Sequence, residues 1–234
     1  MGGVTEKYTT IGGKFLTSED LLQQKLRDVK AFVFDWDGVF NSGEKSGGGS
    51  SNFNEIDSMG TNLLRFSHFL NKKQLPITAI ISGEKNESAF WFCNREHFNY
   101  SFYKFANKLN AINYICQQNN IQPQQIAYFF DDVLDLSVAR ICGIRIFIPR
   151  KNNPSFNQFV FQNQLADYVT AGISGEFAIR ESCELLMELY SNYTLTIKHR
   201  MDFTEDYTQY LNTRNTTVTS FFTFVNGEII KMEN

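Results

Sequence analysis

Two acidic groups in this chain carry the residue types and spacing of a reactive centre. Asp35-Trp36-Asp37-Gly38 follows the apolar run Ala31-Phe-Val-Phe34. Asp131 and Asp132 follow the apolar run Ile126–Phe130, and Asp135 comes four residues after Asp131. If both runs are strands of one parallel sheet, both groups arrive at the same edge. Carboxylates gathered there cannot all stay charged without a cation. Oxygen ligands in this number suit Mg2+, which keeps waters and usually takes one or two carboxylates plus a phosphate. A third apolar run, Ile77–Ile81, ends in Ser82-Gly83, a hydroxyl beside an approachable backbone. Lys108 can add one positive charge.

The elements that must position these groups alternate. Short, continuous apolar runs are predicted as buried strands at Ala31–Phe34, Ile77–Ile81, Ile126–Phe130 and Ile144–Ile148, with weaker strands at Asn99–Tyr103 and Ala166–Thr170. Helices are expected after Ser18, over Ser58–Asn71, Glu87–Arg95, Ala106–Gln118, Leu134–Arg140 and Phe177–Tyr190. This pattern predicts an α/β fold: a Rossmann-like, doubly wound and mostly parallel sheet, with ligands outside the carboxyl ends of its strands. Residues 1–17 read as loose, and Asn41–Ser51, rich in Gly and Ser, as an exposed hairpin tip or loop. Residues 191–234 differ in character: a short helix at Thr204–Leu211, then a β-hairpin turning at Asn226-Gly227. The reading divides the chain into an N-terminal segment (1–29), a main domain (30–190) and a C-terminal extension (191–234).

Composition narrows the class. A chain of 234 residues with 42% hydrophobic and 20% charged residues can bury a core without disulfides or a structural metal. A net charge of −3 gives no global basic field, so nucleic acid is not an implied partner. No apolar stretch is long enough to span a membrane, and no signal-peptide core is seen, so a cytoplasmic protein is expected. Cys93, Cys116, Cys142 and Cys183 have no CxxC pairing and read as reduced, mostly buried thiols. His68, His97 and His199 show no ligand spacing, and Trp36 reads as packing.

The ordered set Asp35/Asp37, Ser82, Lys108 and Asp131/Asp132 resembles the haloacid dehalogenase superfamily of aspartate-nucleophile phosphatases. The runs FDWDGVFNSG, FNEIDSMG, IISGE, AYFFDDVLDL and ADYVTAGISGEFAIRE further resemble its sugar-acid phosphatase branch, which includes 3-deoxy-D-manno-octulosonate 8-phosphate (KDO 8-phosphate) phosphatases. That resemblance covers about residues 30–190 and implies a mechanism. Asp35 would attack phosphorus and Asp37 would serve as acid and then base. Asp35, Asp37 through its carbonyl, and Asp131 would hold Mg2+, with Asp132 or Asp135 completing the shell. Ser82 would bond a phosphoryl oxygen and Lys108 would neutralise charge. Gly83, Glu84, Lys85 and Arg180 are candidates for the substrate, a sugar phosphate. The 45 residues from Asp37 to Ser82 and the 26 from Ser82 to Lys108 leave no room for a large cap domain. The branch covers its sites by forming homo-oligomers, commonly tetramers, so the stretch 41–53 and the segment Gly172–Arg180 are the expected covers.

Some residues depart from the branch. Phe130 stands where a Gly is usual, so the local backbone is open to change. Glu84 stands where an Arg is common, and would repel a substrate carboxylate, which weakens KDO 8-phosphate itself against a nine-carbon acid phosphate or another sugar phosphate. Other readings also remain: Asp131, Asp132 and Asp135 as helix caps, Ser82-Gly83 as a turn, and Lys108 and Arg180 as solvated charges. The chain as a whole could instead be a phosphoacceptor domain or a catalytically weak scaffold on this fold. Order disfavours the phosphoacceptor, and the intact acidic, Ser and Lys set argues against the scaffold.

Overall fold

The computed structural model describes residues 3–46 and 49–232. Its frame is a set of strands: β1 (Lys14–Phe15), β2 (Ala31–Phe34), β3 (Ile77–Ile81), β4 (Tyr100–Tyr103), β5 (Ile126–Phe130), β6 (Ile144–Phe147), β7 (Tyr168–Val169), β8 (Ser220–Val225) and β9 (Glu228–Lys231). Among the described residues they form one sheet in the order β1-β7-β6-β5-β2-β3-β4-β8-β9. The pairs from β7 across to β8 are parallel, and only the outermost pairs, β1·β7 and β8·β9, are antiparallel. β2 and β5 are central and every residue in them is buried, which is why they are apolar without alternation.

Helices cover both faces. On one face lie α2 (Glu19–Asp28), α3 (Glu55–Lys72), α4 (Glu87–Arg95) and α8 (Ala178–Leu189), packed with Phe32, Phe34 and Phe129. On the other, α5 (Leu109–Asn119), α6 (Leu136–Ala139) and α7 (Pro154–Gln162) pack on Val33, Ile81, Tyr128 and Phe130. Period-2 alternation along β5 thus sends Phe129 to one core and Tyr128 and Phe130 to the other. The caps are conventional: Ser18 accepts from Leu21 N–H for α2, Asn54 from Asp57 N–H for α3, and Asn86 from Ser88 and Ala89 N–H for α4. α8 lies against α3, where Gly60 lets the Arg180 backbone approach; a Cβ there would meet Arg180 Cα at 3.0 Å.

Several expectations are corrected. The N-terminal stretch is ordered where it read as loose: α1 (Val4–Thr10) buries Tyr8 edge-on to Tyr168, and β1 pairs with β7. Both contacts are with residues about 155 positions away, which local sequence cannot announce. Residues 149–165, taken as a loop, hold α7, which Pro154 opens at its first turn. A further helix, α9 (Tyr193–Met201), precedes α10 (Glu205–Asn215). No strand forms over the described part of 41–53, which is a loop closed by Ser46 N–H to Ser50 O; Gly47 and Gly48 lie outside the described residues. The hairpin β8–β9 turns at Asn226 (φ 51°) and Gly227 (φ 87°), as an Asn-Gly turn of that type requires. It also extends the main sheet, because β8 pairs in parallel with β4. Cys93, Cys142 and Cys183 are buried and all four thiols are free. No helix among the described residues is long and apolar enough to cross a membrane.

Candidate active site

β2 ends at Phe34, opposite Phe129 of β5, and Asp35 N–H donates to Phe129 O at 3.0 Å. Asp35 and Asp131 therefore leave adjacent strands at the same carboxyl edge. β5 stays regular through Phe130, which is fully buried between Tyr128 and Phe147, and Ile148 N–H bonds its carbonyl. The Phe in place of Gly faces a core and leaves the edge undisturbed.

Asp35, Asp131 and Asp135 each bring one carboxylate oxygen into a group whose members lie within 4.8 Å of one another, and all three are buried. Lys108, just ahead of α5, reaches into this group. Its ammonium lies 2.6 Å from Asp35 Oδ1 and 2.6 Å from Asp135 Oδ1. Tyr128 Oη also donates to Asp135 Oδ1, and Asp132 N–H to Asp135 Oδ2, so Asp135 is held on both oxygens. Burial, then the nearby Asp135, push Asp35 up to about 7 against the pull of Lys108. Burial and its two acidic neighbours also raise Asp131 well above its ordinary value, against the pull of Arg150. Burial opposes the charge on Lys108, yet Asp135 and Asp35 hold it above its ordinary value.

Asp37 sits at the rim, one quarter exposed. Both its oxygens accept: Oδ2 from Lys45 at 2.5 Å, and Oδ1 from the Ser51 hydroxyl. Ser51 is buried and accepts in turn from Asn86 Nδ2 at 3.2 Å. Ser82 is buried at the end of β3, and Glu84 N–H donates to its Oγ at 3.3 Å. Asp132 turns outward: it caps Val133 N–H at 2.7 Å and its side chain is 45% exposed, so the capping reading describes it better than ligation. Glu84 and Lys85 are exposed, and Lys85 pairs with Glu87 at 2.6 Å. Arg180 is not brought to the cluster. Its Nε pairs with Glu184 at 2.7 Å, its N–H caps onto Asp57, and it lines a separate hollow of about 490 Å3 with Tyr8, Phe177 and Glu181.

The structure adds residues that sequence reasoning missed. Arg150, two residues past Ile148, donates through Nη2 to Asp131 Oδ2. Gly38, at φ 88°, makes the space for this pair, since a Cβ there would lie 2.0 Å from Asp131 Oδ2 and 2.5 Å from Arg150 Nη2. Ser174 Oγ donates to Gly38 O at 2.6 Å, tying the 172–177 loop to the edge. Lys45, Ser51 and Asn86 complete the surroundings of Asp37. A lone Arg, Ser or Asn in a loop carries no signal of its own.

The site fits a divalent cation on its own chemistry. Three buried carboxylates share two cations, and Asp131 Oδ1, also buried, has no hydrogen-bond partner among the described residues. A buried acceptor left bare costs about 1–3 kcal/mol, more when charged, unless something binds it. Hard oxygen donors in this number are the donor set of Mg2+ and its kin.

Comparison with known proteins gives the same picture. No family model matches the chain. The 3-deoxy-D-manno-octulosonate 8-phosphate phosphatase of Escherichia coli (strain K12) is 26% identical over 167 residues, covering 70% of this chain and 81% of that protein. Among solved structures, a probable YrbI family phosphatase of Pseudomonas syringae is 29% identical, with a TM-score of 0.65 over 79% of this chain and 98% of that one. The Moraxella catarrhalis 3-deoxy-D-manno-octulosonate 8-phosphate phosphatase, solved with magnesium, phosphate and KDO, shares the fold at a TM-score of 0.63 and 24% identity, covering 77% of this chain and 97% of that one. Sequence, fold and the acidic edge thus agree that the chain is a phosphatase, similar to the KDO 8-phosphate phosphatases and to the YrbI family phosphatase.

Proposed function

We propose that the chain is a Mg2+-dependent phosphomonoester hydrolase acting on a sugar phosphate, a keto-sugar-acid phosphate such as KDO 8-phosphate or a nine-carbon analogue, through an aspartyl-phosphate on Asp35. The observation that carries this reading is the buried trio Asp35, Asp131 and Asp135 with Lys108 bridging two of them. Mg2+, held by Asp35, Asp131 and the Asp37 carbonyl, would supply charge that offsets the incoming phosphoryl dianion.

The chain's own groups divide the rest. Asp35 is held by Lys108 on Oδ1, which leaves Oδ2 as the oxygen that attacks phosphorus. Lys108 stays cationic and offsets charge on the phosphoryl oxygens as the bond to the sugar breaks. Asp37, oriented by Lys45 and Ser51 and entering the reaction protonated, gives that proton to the leaving sugar oxygen and, as the carboxylate, later takes one from the water that hydrolyses the intermediate. Ser82, with its backbone fixed to Phe102, offers its hydroxyl to a phosphoryl oxygen. Gly83, Glu84 and Lys85 lie beside it, and Glu84 disfavours a substrate carboxylate on that side, so neutral sugar phosphates belong in any test. A homo-oligomer, as a tetramer, is part of this reading. Val133 and Leu134, which follow the acidic pair in the chain, are 61% and 51% exposed and offer apolar surface for a second copy.

The test is phosphate release with MgCl2 from a panel of sugar-acid and neutral sugar phosphates, with Asp35→Asn as control. Release from one member, abolished by the variant and by EDTA, supports the reading. Folded protein that releases nothing above the variant on any member overturns it and favours the scaffold. A phosphoacceptor would instead take phosphate from acetyl phosphate without repeated turnover.

A further inference from the structure

We infer that Arg150 is a positioning residue for Asp131: its guanidinium holds Oδ2 of that carboxylate so that Oδ1 is left for the divalent cation. The inference rests on the reading of Asp35 and Asp131 as ligands of the cation.

Four observations converge. The two oxygens of Asp131 have different fates: Oδ2 accepts from Arg150 Nη2, while Oδ1 is buried and accepts from no described group. A carboxylate free to rotate about its last torsion would not keep its oxygens distinct; a donor fixed on one of them does. Arg150 is itself anchored where it stands. Its carbonyl accepts from Asn153 N–H at 3.2 Å and from Asn157 Nδ2 at 3.0 Å, just after β6. Its guanidinium has no competing acceptor among the described residues beyond Asp132, 3.8 Å from Nη1, and its Nε is buried without a partner. Finally, Gly38 at positive φ makes room for this pair, since any side chain there would overlap both partners.

Two effects of Arg150 on a cation oppose each other. The guanidinium repels it, and the fixed carboxylate attracts it with its lone pair already aimed. Arg150 is bonded to the ligand's far oxygen, so the charge it offsets is one the cation shares. Groups that orient a ligating side chain typically set metal affinity by about 10–100-fold.

The experiment is calorimetric titration of the full chain with MgCl2, alongside Arg150→Gln, Arg150→Lys and Asp131→Asn, with thermal melting in EDTA as the fold check. Arg150→Gln is expected to bind Mg2+ about 10–100-fold more weakly while keeping a cooperative melt. Arg150→Lys retains the charge but loses the planar fork, and is expected to fall between it and the parent, at least about threefold weaker. Arg150→Gln binding Mg2+ as tightly as the parent, or more tightly, overturns the inference, since repulsion then outweighs orientation. Should Arg150→Gln fail to fold, Arg150→Lys carries the test, and an unchanged affinity there overturns it equally. Asp131→Asn separates this from failure of the underlying reading: full Mg2+ affinity in that variant removes Asp131 from the cation site altogether.

Discussion

Asp131 and Asp167 are both buried aspartates beside the same sheet, and they have been given opposite surroundings. Asp167, just before β7, is saturated. Thr17 Oγ1, Lys25 Nζ, and the N–H, Nε and Nη2 of Arg145 all donate to it, at 2.6 to 2.9 Å. Burial pushes against its charge, but the bonds from Arg145, Lys25 and Thr17 win and lower its pKa. Asp131 has one donor and one bare oxygen, stands among two more carboxylates, and has its pKa raised by burial and by them. Asp167 ties residues 17, 25 and 145 into one frame. Asp131 is left with a buried oxygen unpartnered among the described residues, the one that the proposed cation would take. Burial alone does not distinguish structure from function; the tally of donors does.

The comparison can be pressed at several depths. On the proposed mechanism, Asp35→Asn should lower turnover by at least about 10³-fold, because it removes the nucleophile. The same variant, free of metal, should melt no lower than the parent, since it relieves a crowded charge; phosphate release and a melting curve check both halves. Asp167→Ala should do the reverse. Leaving Lys25 and Arg145 without their buried partner should cost about 3–5 kcal/mol in a urea melt, with turnover per folded molecule nearly unchanged. A severe loss of turnover in folded Asp167→Ala would break the contrast.

Acidity separates the two sites in sign. Asp35 is raised to about 7, so between roughly pH 4 and 7 the folded metal-free chain holds a proton that the unfolded chain has lost. Its contribution to stability is present at low pH and is lost as pH rises through 7. Asp167 is depressed, so its contribution is present above its ordinary value and lost as pH falls through the lower one. In EDTA, the gap between Asp35→Asn and the parent should widen by a few kcal/mol from pH 4 to 8, and the gap for Asp167→Asn should close on acidification below 4. For the same reason Mg2+ binding should release protons near neutral pH and strengthen as pH rises towards 7, which titrations in buffers of different ionisation enthalpy will read. The smallest effect belongs to Lys45→Ala. Its partly exposed pair with Asp37 should contribute less than about 1 kcal/mol to stability, which a urea melt of the variant will check.

Much of this was legible in the residues because the edge is built by local rules. Apolar runs too short for helices became the central strands, and the acids that end them met because parallel strands deliver their carboxyl ends together. Asp132 and Asp135 looked equivalent in sequence; one additional turn of chain sends the first to solvent and the second under Lys108. Arg180 looked like a site residue by its motif and is paired elsewhere, with Glu184. Arg150, Lys45 and Ser51 were invisible because their partners are 8 to 19 residues away across a turn or a strand crossover. The same limit hid β1 and the placement of β8. Strand pairing at long range is a property of the assembled sheet.

The joining of β8 to β4 has a consequence for how the protein is made. Residues 100–103 leave the ribosome well over a hundred residues before 220–223, their partners on the outer side. Through that interval the nascent sheet has a raw edge of Tyr100, Phe102 and Tyr103, open to pairing with any other extended chain. Long-range closure of this kind is slow. The aromatic wealth of the C-terminal hairpin, with Phe222 stacked on Phe102 at 5.2 Å, then acts as a late seal, and synthesis crowded with sister chains is where this fold is most exposed to mispairing.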